Sequence, residues 1–537
     1  MVDAVDPLPF PCERQNAPIC NLPEDVLWHV FFLNTTSPIA SLKSAFEDLI
    51  SSSHVCLAWR TLINSSPSLW SRAIDWDYFR RADIRDEIMP RTGDALLNIR
   101  VNCYPYRYES PAESVFTFLL EHWARIQTLE LSIIYYSHLS SNKLEDDLWH
   151  LIGRPAPSLQ NFQLKINSRY TNTGWPPAIP EGHVLFGDQA PVLEKIASPI
   201  TIRLTSPWLA HIRDLSLCGS LPVEEFLEAL KSMSCLETLR DSNNSLTSAD
   251  RSLHLPAISH PTLNRITLVV QSNVEPYVQF LSHLSISPKC TLDVAVHALS
   301  RHAWEQEHWD LTDELVRLFP KFCDLTQAQS AVLSLDSYRF AFSALAPNRV
   351  ISSFEFLHQM RPPTAEGRMH TPPFFQHFLQ SSPLPNLRHL IFIAAPCHGL
   401  LAFDQACFDY VKSVEVLHTT TSCIQCITDL LAADTSLVMF PALRELHLQS
   451  LPEKADIPSM KFFLASRKSI GEPFNTLVMR KTSYILGNKK RTVDLRWLDR
   501  FTGLKVVFQS GRGDEESEYI CGKSDVKELA KVPVNND

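Results

Sequence analysis

Cys423 and Cys426 form the one C-x-x-C of this chain. Thiols at that spacing suit a redox couple or half of a tetrahedral zinc site. A zinc site needs a second pair of Cys or His ligands, and none stands at the usual distance. The alternative is structural: Cys423, Cys426, Ile427, Leu430 and Leu431 read as one apolar face of a helix. "HAWEQEHWD" supplies His302, Glu305 and His308. It is not H-E-x-x-H, and its two histidines fall on opposite faces of a helix. Lys489, Lys490 and Arg491 in "GNKKR" fit a nuclear signal or a phosphate contact, but read more simply as a solvated loop.

No Walker loop, nucleotide-binding glycine motif or G-x-S-x-G nucleophile turn is present, and 14 glycines leave little material for phosphate-cradling loops. The sequence therefore predicts no catalytic residue, no cofactor, no metal and no enzyme activity of its own. A deep pocket with pKa-shifted groups in residues 271–384 would argue the other way.

What these residues hang on follows from the totals. A chain of 537 residues exceeds one compact core, so two or more units are expected. A net charge of −10 disfavours a general nucleic-acid binder, which needs a basic face. No apolar run reaches the roughly 18 residues of a membrane span, and "MVDAVDPLPFPCERQNAP" lacks a basic, then apolar, leader. Thirteen scattered cysteines then read as reduced thiols of the cytosol or nucleus. In that compartment the N-x-S/T triplets at Asn34, Asn64 and Asn243 carry no glycan.

Residues 1–18 are proline-rich and are expected to be disordered. Order is expected from "ICNLPEDVLWHVFFL", where Pro23 suits a first helical position and Glu24 and Asp25 suit the first turn. Val26, Leu27, Val30 and Phe31 repeat at helical spacing. A second helix fits Pro38 to about Ser52, with Leu42, Ala45, Phe46, Leu49 and Ile50 on one side. A third carries Val55, Trp59, Leu62 and Ile63, and Pro67 ends it. Three such helices make a core that is marginal alone and leans on a partner or neighbour.

"LPEDVLWHVF" followed by "HVCLAWRTLINSSPSLW" resembles an F-box. The likeness lies in the Leu-Pro start, the Leu and Phe one and two turns on, the Val-Cys-x-x-Trp-Arg, and the closing Pro-x-Leu-Trp. It is similar in style to the F-box proteins that mushroom-forming fungi encode in large numbers. "NTTSPIASLKSAFEDLISSS" makes the middle segment longer than the compact pattern. The resemblance implies docking on the Skp adaptor of a Skp–cullin–F-box ubiquitin ligase. Carried over residue by residue, it implies adaptor contact at Leu22, Pro23, Leu27, Phe31, Val55, Cys56, Trp59, Arg60, Leu69 and Trp70. For Trp59, an internal core position is an equal alternative, because Leu62 and Ile63 lie one turn on.

Beyond residue 76 an apolar-x-x-apolar-x-apolar phrase recurs, usually after a helix. It appears as "IQTLEL", "LQNFQL", "IRDLSL" and "LNRITL" from Ile126, Leu159, Ile212 and Leu263. It returns as "LRHLIF", "LRELHL", "FNTLVM" and "FTGLKV" from Leu387, Leu443, Phe474 and Phe501, with weaker copies at Leu193, Leu236 and Val414. One helix–strand unit cannot bury its own apolar faces, so such units stack. This resembles the leucine-rich-repeat-like region that follows many F-boxes, without the regular consensus asparagine. Residues 271–384 fit least: "CTLDVAV", "AQSAVLSL" and "SSFEFL" read as strands, "EQEHWDLTDELVRLFPKF" as a helix and "MRPPTAEGRMHTPP" as a loop. The same architecture with insertions is preferred there to a domain break near 271.

The expected fold is α+β: an all-α three-helix F-box over 19–75, then an irregular leucine-rich-repeat-like α/β solenoid with a curved parallel sheet over 76–508. A polar, flexible tail, acidic at 514–518, is expected over 509–537. The expected partners are the Skp adaptor, cullin through it, and an unknown protein client, with neither nucleic acid nor membrane. A scaffold that binds proteins without ubiquitin transfer is the alternative.

Overall fold

The computed structural model describes residues 22–36, 45–103, 111–135, 142–168, 183–242, 244–249, 254–271, 273–287, 289–298, 306–322, 325–335, 339–346, 349–358, 384–394, 411–433, 438–471, 474–480, 492–509, 516–530 and 532–533. The expectations placed on residues 1–18, on His302 and Glu305, on the 360–373 loop and on Lys489, Lys490 and Arg491 lie outside these residues. The chain forms two compact units, Met1–Leu215 and Ser216–Asp537.

The first unit opens with helices α1 (Glu24–Thr36), α2 (Ala45–Ser53), α3 (Leu57–Asn64) and α4 (Pro67–Trp70). Then come strand β1 (Ile74–Asp75), helices α5 (Trp76–Phe79) and α6 (Ala82–Ile88), and strand β2 (Leu97–Cys103). Helix α7 (Pro111–His122), β3 (Ile126–Tyr135), α8 (Asn142–Ile152), β4 (Asn161–Ser168) and β5 (Lys195–Ala197) follow. The strands pair in chain order and all run parallel. Alternation decides which side packs. Leu97, Ile99, Val101 and Cys103 of β2 are buried, as are Leu129, Leu131 and Ile133 of β3. In-register neighbours Ile99, Leu129, Phe162 and Ile196 make one layer of that core.

Strands β4 and β5 are entered through the same corner. The amide of Gln160 donates to the Gln127 carbonyl, and that of Glu194 to the Gln160 carbonyl, each at 2.8 Å. The corner side chains also meet, Gln127 Nε2 donating to Gln160 Oε1 at 2.8 Å. Repetition of the sequence phrase is thus repetition of a backbone geometry.

The second unit carries helices α9 (Val223–Leu230), α10 (Glu275–His283), α11 (Gln306–Phe322), α12 (Thr421–Ala433) and α13 (Ile457–Ser469). Its sheet strands begin with β6 (Thr238–Asp241), β7 (Arg265–Val270), β8 (Thr291–Ala298), β9 (Ser330–Leu335), β10 (Arg339–Ala346) and β11 (Arg349–His358). They continue with β12 (His389–Ala394), β13 (Val416–Thr419), β14 (Glu445–Leu448), β15 (Thr476–Arg480), β16 (Lys505–Gln509) and β17 (Glu516–Ile520). The corner recurs here: Asn264 donates to Glu237, Thr291 to Asn264, Glu415 to Arg388, Arg444 to Glu415 and Asn475 to Arg444. Leu390, Leu417, Leu446 and Leu477 lie side by side in the packed layer, about thirty residues apart in the chain.

Three expectations are corrected here. The strands are not stacked strictly in order: β8 pairs with β11, β11 with β10, β10 with β9, and β9 with β12. Strand β10 runs antiparallel to both its neighbours, so β9–β11 form a three-strand meander inside a parallel-rich sheet. The repeat phrase cannot signal an inserted meander, because only β9 and β11 join the parallel series. The last copy is also displaced. Val506 and Phe508, not the register starting at Phe501, align with Leu477 and Met479. Residues after 508 are not simply a loose tail. Strand β17 pairs antiparallel with β16, and Tyr519 is buried with its hydroxyl donating to Asp499 Oδ1 at 2.7 Å.

Among the described residues no helix is long and apolar enough to cross a membrane.

Candidate adaptor-docking surface

The N-terminal helices expose the apolar surface most in need of an explanation. Helix α1 starts directly after Pro23, whose carbonyl accepts from the Leu27 amide at 3.1 Å. Glu24 and Asp25 occupy its first turn, where the helix dipole stabilises negative charge. From Val26 to Leu33 only His29 breaks an apolar run, so the helix is apolar on more than one side.

One side is core. Leu27 and Phe31 are buried, and the Phe31 ring meets Trp59 edge to face with centroids 5.0 Å apart. Phe46 and Leu49 of α2 fill the same interior, which the chain that follows closes. Phe46 packs against Phe79 at 5.7 Å, and the Tyr78 hydroxyl donates to Glu47 Oε1 at 2.5 Å. Helix α4 folds back because Pro67 takes its first turn. Its Leu69 and Trp70 are wholly buried, with Trp70 Nε1 donating to the Ile63 carbonyl at 2.9 Å and the Arg91 guanidinium over the indole.

The other side is open. Val26 and Val30 are 40 % and 41 % exposed, and Leu33 is 63 % exposed. Their spacing places them on one face of α1, with Leu22 exposed just before the helix. Val55 and Leu57, at the entry to α3, are 61 % and 75 % exposed. Single exposed aliphatics need no account, but six within one small helical head do. The Arg72 guanidinium lies 4.2 Å from the Phe32 ring centroid, and burial lowers its pKa.

The ten residues implied by the resemblance divide accordingly. Leu22, Pro23, Val55 and Arg60 are exposed, and Cys56 and Trp59 are half-buried. Leu27, Phe31, Leu69 and Trp70 are buried within the chain itself. They support the surface from beneath rather than present it. Sequence reasoning did not name exposed Val26, Val30, Leu33 and Leu57 among its candidate contacts. The available signal was that α1 has too many apolar residues for one buried stripe. Arg60 acts locally, its Nε donating to the Ser53 carbonyl at 3.1 Å and so tying α3 to the end of α2.

Elsewhere, the C-x-x-C lies on α12. Cys423 is buried, its thiol 3.5 Å from the Phe392 carbonyl, and Cys426 is half-buried. The buried face of α12 runs through Cys423, Ile424, Ile427, Thr428 and Leu431, with Leu430 at its margin. Among the described residues, no group of three or more His, Cys, Asp and Glu side chains could hold a metal ion.

The family model for F-box-like domains matches residues 19–74. No curated protein matches the chain. Among solved structures, a crystal structure of a protein from Bacteroides fragilis is 12 % identical, with 68 % of this chain and 82 % of that chain covered. Its TM-score of 0.22 is too low to assign a shared fold. The N-terminal segment is therefore an F-box-like domain, a protein-interaction module, and F-box domains generally bind the Skp adaptor. A large mixed α/β region with a parallel-rich sheet follows it.

Proposed function

We propose that this chain is the client-recognition subunit of a Skp–cullin–F-box ubiquitin ligase, working in the cytosol or nucleus. The F-box-like head docks on the adaptor, and the α/β region, read as an irregular leucine-rich-repeat-like solenoid, holds a protein client. The chain makes and breaks no bonds. It raises the effective concentration of a client lysine near the ubiquitin-charged enzyme, which turns an encounter between separate molecules into a local one. The observation that carries the reading is the exposed aliphatic face of α1, together with exposed Val55 and Leu57 at the entry to α3. A desolvated interface concentrates its affinity in a few such anchors. The closing Pro67-Ser68-Leu69-Trp70 supports a fungal style of F-box.

Reconstitution tests the reading. Purified full-length chain, Skp adaptor and cullin are mixed and separated by size. Co-elution of all three is expected. Elution with the adaptor but without cullin would replace the ligase by a scaffold, and failure to hold the adaptor would overturn the docking assignment.

A further inference from the structure

Strands β12 to β15 carry charge in an unusual balance. Alternation places His389 of β12, His418 of β13, Glu445 and His447 of β14 and Arg480 of β15 on the side away from the packed leucine layer. At other places along the ladder, a charge on that side is matched by a neighbouring strand. Arg100 meets Glu130 at 3.1 Å, Arg265 meets Asp293 at 3.1 Å, and Lys505 meets Glu518 at 2.6 Å.

Here basic groups outnumber acids. Glu445 is the one acid on these four strands, and His447 Nε2 already lies 3.1 Å from its carboxylate. His389 and Arg480 are exposed and make no ion pair or side-chain hydrogen bond among the described residues. The His418 and His447 rings are half-buried, with centroids 4.2 Å apart. Ile391 and Val416 lie half-buried on the same side. Apolar surface beside unmatched cations lowers the local dielectric and strengthens attraction for an anion.

Spacing selects the kind of anion. Neighbouring strands lie about 4.8 Å apart, so basic groups on four of them are spread over about 14 Å. A single phosphate cannot reach along such a line. An extended peptide repeats its side chains on one side about every 7 Å, so three carboxylates at alternate positions match it. We propose that this face holds an extended, carboxylate-rich segment of the client, laid across β12 to β15 against His389, His418, His447 and Arg480. That the occupant is a client rests on the client-recognition reading; the site itself involves neither adaptor nor cullin.

A bound carboxylate favours a protonated imidazole, so the segment should be held more tightly in mild acid. Burial, then His447, His389 and Arg480, disfavour the charged form of His418, and Glu445 alone favours it. An added carboxylate acts in the same sense as Glu445.

Calorimetric titration of the full-length chain, without adaptor, tests the proposal with three peptides of equal length. One carries glutamate at three alternate positions, one glutamine at those positions, and one a single phosphoserine with no carboxylate side chain. At about pH 6 the glutamate peptide should bind at least about tenfold more tightly than the glutamine peptide, and at about pH 8 it should bind about threefold more weakly than at pH 6. His418→Gln/His447→Gln should flatten that pH dependence. Arg480→Glu reverses an exposed charge and should weaken the glutamate peptide at least about tenfold at an unchanged thermal midpoint. It decides the matter where the histidine pair fails to fold. Equal binding of glutamate and glutamine peptides, tightest binding by the phosphoserine peptide, or indifference to Arg480→Glu overturns the proposal. Adaptor titration of the same chains separates the two readings. A chain that takes the glutamate peptide but no adaptor keeps this site and loses the ligase, and the reverse result loses this site alone.

Discussion

Among single residues, burial and neighbouring charge give this chain a specific acid sensitivity. His418 and His447 stand in register on β13 and β14, with ring centroids 4.2 Å apart. Burial, then His447, His389 and Arg480, hold His418 down at about 4, with Glu445 acting in the opposite sense. The unfolded chain, with an ordinary histidine near 6.5, takes up a proton there before the folded chain does. Stability from this group is therefore present above about 6.5 and is lost as pH falls toward 4. Thermal unfolding of the full chain should show a midpoint falling between pH 7 and pH 5, with a shallower slope in His418→Gln. An unchanged slope in that variant would remove His418 as a source. A separate test, of a buried hydrogen bond, concerns Asp241, wholly buried, which accepts from Tyr277 Oη at 2.7 Å and from the Ser245 amide at 2.9 Å. It holds the turn in which Asn244 takes a φ of 57°. Tyr277→Phe should cost about 1–3 kcal/mol in denaturant unfolding, because the buried Asp241 side chain loses a donor.

Among helices and strands, much of the placement was legible, because periodicity survives wherever one face is buried and the other wet. "PVEEFLEALKSM" and "CIQCITDLLAA" are helical as read, and copies of the repeat phrase such as "IQTLEL" and "LRELHL" fall on strands. Strand β10 was not legible. "RFAFSALA" has the alternation of a strand but no repeat spacing, and its partners are set by hairpin geometry, which the phrase does not encode. The candidate docking face was half legible for a related reason. Periodicity identifies apolar positions on a helix, but which of two apolar sides faces the chain's own core depends on tertiary packing. Leu27 and Phe31 take that place, Phe31 against Trp59, leaving Val26 and Val30 outward. Phe31→Ala should therefore unfold the head, at a cost of about 3–5 kcal/mol, with protease cutting within residues 22–75 as the readout. Persistence of a resistant head would show that Phe31 is not its keystone.

Across the full chain, a small helical head precedes a much larger α/β region. Phe46, Trp70 and their neighbours are sealed by residues 76–91 of the same chain, so the head is completed from within as a core. What it leaves open is the aliphatic face of α1, with Val55 and Leu57 exposed at the entry to α3. Burying a few such side chains supplies about 1.5–3 kcal/mol each relative to exposure, enough for a few anchors to dominate docking. The most direct measurement is calorimetric titration of purified Skp adaptor into the full-length chain and into its Val26→Asp/Val30→Asp double variant. Both positions are solvent-facing, so far-ultraviolet circular dichroism and the thermal midpoint should stay at wild-type values while adaptor affinity falls at least about a hundredfold. Equal affinity of a folded double variant and the wild-type chain would contradict docking through the exposed face of α1.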